Sequence, residues 1–487
     1  MADSVPLLLD RIRSAIARDP GAPAFLGVAS ISYGAMRALI GRTMVGFHQR
    51  GIRPGQVVAL TMSQSPLHMV AFLALARVGA TSISVSPMDR EADRIALYRR
   101  FGVTAVVSER EDAGAPGVQL ILLKGVRARG DESEFDTWED EPVGSTLLRI
   151  GLTSGTAGER KGIEQTHEQF ARRLDRRYYG DTPKPRVLPP NLHITPALTL
   201  ACHALTNGGA IVIPQAYDAA SQFDAFTRHA VTHVTLPPLH LAMMLTLLDG
   251  DAPRFPHIKH LRFVGGTPSA SVVAGARRKF TPNVFTTYAT TEMGVIAIAS
   301  PDVLAKTPGS AGPVVPDAQL EVIGEDGRVM PPNEPGEIRV RVPAMPTRYF
   351  GDAEPGRFRD GWFHPGDIGY LSDEGLLYIQ GRMDDIINLG GRKLAPPYAE
   401  AILEEHRAVR EAAVFAVDDT HVQAIVALKG ALDWRELSEF ARRRLDVFAP
   451  VRYYEADQLP RNSMGKIVRR ELSSFAATGA MLRHTAQ

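Results

Sequence analysis

Residues 57–108 read VVALTMSQSPLHMVAFLALARVGATSISVSPMDREADRIALYRRFGVTAVVS. Short apolar runs alternate here with helix-period stretches. Val57–Met62 reads as a buried strand, Pro66–Val78 as an amphipathic helix and Ser82–Val85 as a second strand. Glu91–Phe101 follows as a helix and Ala105–Ser108 as a strand. The rhythm returns with Ala210–Pro214, Ala219–Ala230, Thr232–Leu236, Leu239–Leu248, Leu261–Gly265, Ser269–Phe280 and Val284–Tyr288. Apolar strands alternating with helices imply βαβ units and largely parallel sheets.

After Glu292 the texture changes. Gln319–Ile323, Gly336–Val342, Gly369–Leu371 and Leu376–Ile379 are short strands between Gly, Pro and Asp turns. EDGRVM and SDEGLL have the composition of hairpin connections. A smaller antiparallel sheet or barrel on the same lobe is expected. Beyond the polar Gly381–Asp385 segment a mixed stretch begins, with helices near Ala399–Glu405 and Trp434–Leu445 and strands near Ala412–Val417 and Val422–Leu428. The boundary is set at Asp384, giving units 1–383 and 384–487, and the chain after about Ser473 reads as a frayed tail.

A chain of 487 residues exceeds one hydrophobic core, so two or more domains are expected. Its apolar fraction of 44% is ordinary for a soluble protein. Lys and Arg total 55 against 54 acidic residues, a balance that argues against nucleic acid or an anionic membrane as partner. The single cysteine, Cys202, excludes a disulfide framework or a cysteine metal site and fits a reducing, cytoplasmic location. The N-terminal MADSVPLLLDRIRSA has neither signal-peptide nor membrane-span character, and no apolar run nears the ~20 residues a spanning helix needs.

Five short strings carry chemistry. Thr153-Ser154-Gly155-Thr156-Ala157-Gly158-Glu159-Arg160-Lys161-Gly162 follows an apolar lead. Its small residues let backbone N–H groups turn inward on a polyphosphate, while hydroxyls and Lys161 add donors and charge. Alone, the string leans only modestly towards phosphate binding over a flexible surface turn. Tyr288-Ala289-Thr290-Thr291-Glu292-Met293-Gly294 follows a strand, and a carboxylate there beside hydroxyls suits Mg²⁺ held with phosphates. In Gly361-Trp362-Phe363-His364-Pro365-Gly366-Asp367-Ile368-Gly369, Asp367 is an acceptor suited to two ribose hydroxyls, or simply an acidic turn. The others are the segment from Gly381 through Arg382 and Asp384 to Lys393, and Pro460-Arg461-Asn462-Ser463-Met464-Gly465-Lys466-Ile467.

Together, in this order, the five resemble the adenylate-forming superfamily: acyl- and aryl-CoA synthetases, luciferase and peptide-synthetase adenylation domains. The resemblance spans from Arg53 to Lys466. It implies an α/β fold: a large N-terminal lobe of βαβ subdomains plus a small antiparallel β-barrel, then a mobile, smaller α+β C-terminal domain. It implies ATP-dependent activation of a carboxylic acid through an acyl-adenylate, then transfer to the thiol of CoA, with ATP, Mg²⁺ and CoA or a carrier pantetheine as cofactors. Thr153, Ser154, Gly155, Thr156, Gly158 and Lys161 would form the phosphate loop. Gly265, Gly266 and Thr267 would lie beside adenine and the acyl pocket, and Tyr288 would stack on adenine. Thr291 would contact the α-phosphate. Glu292 would hold Mg²⁺, with Thr156 as a second ligand. Asp367 and Arg382 would grip the ribose. Asp384 would be the hinge, Lys466 the lysine bridging substrate carboxylate and α-phosphate, and Gly391 the glycine lining the thiol tunnel. His193 would gate a pocket that Gly265 and Ala289 also line.

The chain departs from the family pattern at Ala157, Arg160, Ala289, Asn388 and Tyr398. A ligase loading a separate acyl carrier protein is the first alternative, and an inactive binding homologue the second. The peptide-synthetase adenylation domains that the chain resembles carry an Asp soon after the gate position; the matching stretch here, Ile194-Thr195-Pro196-Ala197-Leu198, has no acid, so the resemblance implies an apolar or aromatic acid without an α-ammonium.

Overall fold

The alternation of strand and helix resolves into two sheets with parallel cores and a helical layer between them. The computed structural model describes residues 5–123, 134–138, 141–153, 160–176, 180, 182–389, 392–416, 418, 421–445, 448–461 and 467–485. Among these, one sheet has six strands in the order Gln119–Leu122, Val103–Ser108, Val57–Thr61, Thr81–Ser84, Leu147–Leu152, Gly162–Thr166. The first five are parallel; Gly162–Thr166 returns antiparallel to Leu147–Leu152. The second sheet runs Gly294–Ala299, Val284–Thr290, His260–Phe263, His233–Leu236, Arg186–Leu188, Ala210–Ile213, Pro23–Gly27, Ile31–Ser32. Its interior pairs are parallel, including Phe25 with Ile211 across most of the N-terminal half of the chain.

The helix Pro66–Val78 shows how sequence fixes this layer. Pro66 opens it, where a missing N–H costs nothing, and Gly79 at φ +80° closes it in the left-handed region. Every side chain but Leu67 is buried. The reason is that Val58 and Leu60 of one sheet and Phe25 and Ile211 of the other belong to the same core. At about 1.5–3 kcal/mol per buried large apolar side chain, this cluster dominates the stability of the lobe.

Beyond Ala299 a seven-stranded antiparallel sheet forms among the described residues, with Asp367–Leu371 and Leu376–Arg382 at its centre. The SDEGLL segment is the hairpin joining them, closed by the Ser372 N–H donating to the Leu376 carbonyl at 2.9 Å. The last sheet orders Val409–Ala416, Val422–Leu428, Arg452–Glu455 and Met481–Thr485, with the helices Pro396–Glu404 and Trp434–Leu445 beside it.

Two readings need correction. The stretch after Ser473 is no tail: Leu472–Thr478 is helical, and Met481–Thr485 pairs with Arg452–Glu455, covering what would be a bare strand edge. The helix expected over Ser269–Phe280 is two segments, Ala270–Gly275 and a π-turn at Ala276–Phe280. The wider turn seats Ala276 and Phe280 in the core below Phe255 and Val284. No described helix is long and apolar enough to cross a membrane.

Glu404 closes the helix Pro396–Glu404, its carboxylate accepting the Ala412 N–H at 3.2 Å. Burial, with Glu400 and Glu411 nearby, pushes its carboxyl up to about 7 from an ordinary 4.5. The folded state therefore holds this proton more tightly than the unfolded chain, and stability is lost as pH rises between those values. Glu404→Gln removes the penalty. At pH 8 it should unfold later than the wild type by on the order of 2 kcal/mol, and at pH 4 no later. Thermal denaturation at the two pH values checks this; an equal shift at both would show that charge is not the cause.

Candidate active site

The hairpin of Leu147–Leu152 and Gly162–Thr166 fixes the base of the glycine-rich loop. Thr153 donates its N–H to the Lys161 carbonyl at 2.9 Å, and Lys161 donates back to Thr153 Oγ1 at 3.2 Å. Arg160 secures the same base through a two-pronged pair with Asp89 at 2.6 and 2.7 Å. Arg160, one of the departures from the resembled pattern, is thus held in place by an ion pair. Ser154, Gly155, Thr156 and Gly158 lie outside the described residues, as do Gly391 and Lys466.

Lys161 and Glu292, 131 residues apart in the chain, meet across one tyrosine. The Lys161 ammonium sits 5.5 Å from the centroid of Tyr349, whose hydroxyl donates to Glu292 Oε1 at 2.6 Å. Burial and the Glu292 carboxylate push the Tyr349 phenol well above its ordinary range, so it stays a donor. Lys161 also pairs with Glu354, whose backbone lies in the left-handed region at φ +55°. Against the pull of partial burial, hydrogen bonds from Lys161 and Arg357 hold the Glu354 carboxyl below the usual carboxylate range.

A second cluster stands on the central hairpin of the antiparallel sheet. Asp367 and Arg382 are register partners there. Arg382 donates to Asp367 Oδ1 at 3.2 Å, and Tyr288 donates its hydroxyl to Asp367 Oδ2 at 2.5 Å. Burial first, and then Asp367, push the Tyr288 phenol far up. Asp384 follows in the turn Met383–Asp385 and holds Arg357 at 3.0 Å and Arg382 at 3.7 Å. Arg357 bonds Glu354 as well, at 3.1 Å. An alternating series of charges, Lys161, Glu354, Arg357, Asp384 and Arg382, therefore joins the loop base to Asp367.

The segment around Glu292 is strapped from behind. Arg173 donates to the carbonyls of Thr291 and Glu292 at 2.8 and 2.9 Å. Arg176 donates to those of Met293 and Val295 at 2.5 and 3.0 Å while pairing with Asp317. Gly265, at φ +87°, turns the chain at the end of His260–Phe263 and leaves Gly266 and Thr267 exposed. Ala289 is exposed near the end of Val284–Thr290. His193 bonds the Met62 carbonyl at 2.7 Å, contacts Asn191, and stands edge-on to His68 with ring centroids 5.0 Å apart. Burial lowers its pKa, which keeps the ring neutral at neutral pH. Cys202 is wholly buried, its thiol pushed up to about 12 by burial, in keeping with a structural role.

The donor set suits a nucleotide with its metal. Asp367 is an acceptor-only carboxylate, a type suited to vicinal hydroxyls. Glu292 Oε2 carries no hydrogen bond among the described residues, and Mg²⁺ is characteristically held by one or two carboxylates together with substrate phosphates and water. Tyr349, Glu354 and Arg357 were missed by sequence reading. A tyrosine in the Gly/Asp-rich run Arg348–Asp352 was the only local signal.

Comparison with known proteins agrees with this geometry. A 2-succinylbenzoate–CoA ligase of Bacillus velezensis is 32% identical over 443 residues, covering 87% of this chain and 88% of that protein. A 4-coumarate–CoA ligase of rice is 26% identical, covering 92% and 90%. The o-succinylbenzoate CoA synthetase of Bacillus subtilis, solved with its acyl-adenylate intermediate, superposes with a TM-score of 0.87 at 24% identity, over 98% of this chain and 99% of that one. An ATP-bound MatB from Rhodopseudomonas palustris gives 0.86 at 23%, over 97% and 99%. The family model for the AMP-binding enzyme matches residues 12–350, and that for the AMP-binding enzyme C-terminal domain matches 398–466. With well over half its length matched, and the two polar clusters assembled from the matching motifs, the chain belongs to the AMP-binding enzyme family.

Proposed function

We propose that this protein activates a carboxylic acid with ATP and passes the acyl group to the thiol of CoA. The observation that carries the reading is the meeting of Lys161 and Glu292 at Tyr349, joined by a run of ion pairs to Asp367 and Arg382. In the first half-reaction a carboxylate oxygen attacks the α-phosphorus and the bond to pyrophosphate breaks. Anion meets anion, so catalysis is alignment and charge neutralisation. Glu292 would hold Mg²⁺ there, which would supply positive charge to offset the phosphates. Lys161 and the loop amides meet the polyphosphate, Asp367 and Arg382 orient the ribose, and Lys466 reaches the reacting carboxylate from the C-terminal part. In the second half-reaction the thiol sulfur attacks the acyl carbon, AMP leaves, and the thiol proton passes to water. A turn about Asp384 would exchange Lys466 for Gly391 between the two.

The acid is an aryl or short-chain acid, not an α-amino acid, because the stretch after His193 offers no counter-charge and a buried unpaired ammonium costs several kcal/mol. Trapping with hydroxylamine and ATP across a panel of acids tests the first half-reaction. Comparing CoA with a pantetheinylated carrier protein tests the second. Formation of no hydroxamate from any acid would refute the reading.

Glu354 sets a further expectation. It competes with the polyphosphate for Lys161, from a position two-fifths exposed. Such pairs are worth at most about 1 kcal/mol, so Glu354→Gln should lower KM for ATP by roughly two- to five-fold and leave kcat alone. Initial rates against ATP decide it; an unchanged or raised KM would show that Glu354 does not compete.

A further inference from the structure

Arg357 stands between the two polar clusters of the site. Its Nε donates to Glu354 Oε2 at 3.1 Å, its Nη2 to Asp384 Oδ2 at 3.0 Å, and its carbonyl accepts the His364 N–H at 2.8 Å. The guanidinium lies against Gly366, the residue before Asp367. A Cβ at Gly366 would collide with it, and Gly366 is itself in the left-handed region at φ +78°. The Arg357 side chain is 21% exposed, against 40% for Glu354 and 65% for Asp384.

Glu354 is the second unusual residue. At φ +55° its backbone adopts a conformation that is costly for any residue with a Cβ. Such strain persists where the surroundings hold it, and here two cations, Lys161 and Arg357, stand on either side of its carboxylate. Lys161, Glu354, Arg357 and Asp384 thus form a row of alternating sign in which each inner charge is shared between two opposite neighbours. Drawing Asp384 away leaves Arg357 to Glu354 alone, which slackens the hold of Glu354 on Lys161. Drawing Lys161 towards a polyphosphate leaves Glu354 to Arg357, which slackens the hold of Arg357 on Asp384. The coupling is reciprocal, as linkage requires.

We propose that Arg357 is a positioning residue that relays the state of the turn Met383–Asp385 to Lys161, so that nucleotide is held more tightly when the Arg357–Asp384 pair is open than when it is closed. The inference rests on the ligase reading, in which Lys161 meets the polyphosphate and the chain turns about Asp384, and it deepens that reading by naming the residue through which the two communicate. Departure of pyrophosphate returns Lys161 to Glu354 and so favours closure of the Arg357–Asp384 pair.

The test is the affinity of the full chain for α,β-methylene-ATP with Mg²⁺, measured by isothermal titration calorimetry, which needs neither the acid nor turnover. Partly exposed ion pairs are individually weak, so each change should be roughly two- to five-fold. Arg357→Met should weaken binding, because Glu354 then falls wholly to Lys161. Arg357→Gln, equally uncharged but polar, should do the same, and Arg357→Lys, which keeps the charge, should restore most of the affinity. Asp384→Asn should tighten binding. In the Arg357→Met background Asp384→Asn should have no effect, and in the Glu354→Gln background neither should Arg357→Met. An arginine with a purely structural role would weaken binding by the same factor with and without Glu354, and that result overturns the proposal. So does unchanged affinity in both uncharged variants. So too does an effect of Asp384→Asn that survives Arg357→Met, since it would run through Arg382, which Asp384 also faces at 3.7 Å. If wild type binds the analogue but adenylates no acid, the ligase reading fails and the same series still decides the relay; if wild type does not bind the analogue, both fall.

Discussion

Lys466→Ala should nearly abolish acyl-adenylate formation while affecting thioester formation from supplied acyl-adenylate far less. Lys466 would meet the substrate carboxylate and the α-phosphate only as charge redistributes between them, and removing one such contact typically costs ~10²–10³ in rate. The described residues on either side of 462–466 are well anchored. Arg461 and Ile467 pair across the base of this segment, Val468 donates its N–H to the Pro460 carbonyl at 2.9 Å, and Arg461 is tied to Glu411 at 2.7 Å. Arg469, just beyond, binds Glu400 through both carboxylate oxygens at 2.8 Å and reaches Asp385 at 3.4 Å. The flanks of this segment are therefore tied to the C-terminal sheet and to the turn that holds Asp384. Pyrophosphate release and single-turnover thioester formation separate the half-reactions; comparable loss in both would remove Lys466 from this role.

Glu292→Gln should lower kcat/KM for ATP in adenylation by a similar ~10²–10³, because it removes the charge of the proposed metal ligand while leaving its shape. Tyr349 can still donate to the amide oxygen, so the fold around it should persist. Tyr349 only orients Glu292, and the straps from Arg173 and Arg176 remain. The discriminating measurement is the Mg²⁺ dependence of pyrophosphate release. The substitution should move its midpoint to higher concentration, and full activity with an unchanged midpoint would exclude Glu292 as the metal ligand.

What the sequence disclosed and what it hid differ by range. Pro66–Val78, Gln319–Ile323, Val422–Leu428 and Trp434–Leu445 are present with the boundaries read from apolar period and from Pro and Gly punctuation, which are local signals. At first sight the first fifty residues carry no clear local period, although Leu8–Arg18 and Tyr33–Gln49 are helices. Leu7–Leu9 looks like a bare apolar run until Ile12, Ala15 and Ile16 are counted on the same face. At the site, motif order indicated Asp367 with Arg382, adjacent on a hairpin. It gave no hint that the Tyr288 hydroxyl is bound to Asp367, or that Lys161 faces Glu354. Those contacts span 79 residues in one case and 193 in the other, and only the packing of separate sheets creates them.

The pairing of Pro23–Gly27 with Ala210–Ile213 bears on how the molecule is made. The first strand leaves the ribosome about 190 residues before its partner, an interval of roughly 10–40 s at about 5–20 residues per second. Through that time Phe25 and the strand's hydrogen-bonding edge have no place in the native sheet, and Leu8, Leu9 and Ile12 lack the core they later join. A nascent chain in this condition invites chaperones and non-native association alike. Slower synthesis in the cold should lengthen the wait but weaken the hydrophobic attraction that drives aggregation, so the yield of native protein should depend on growth temperature through events at its first thirty residues.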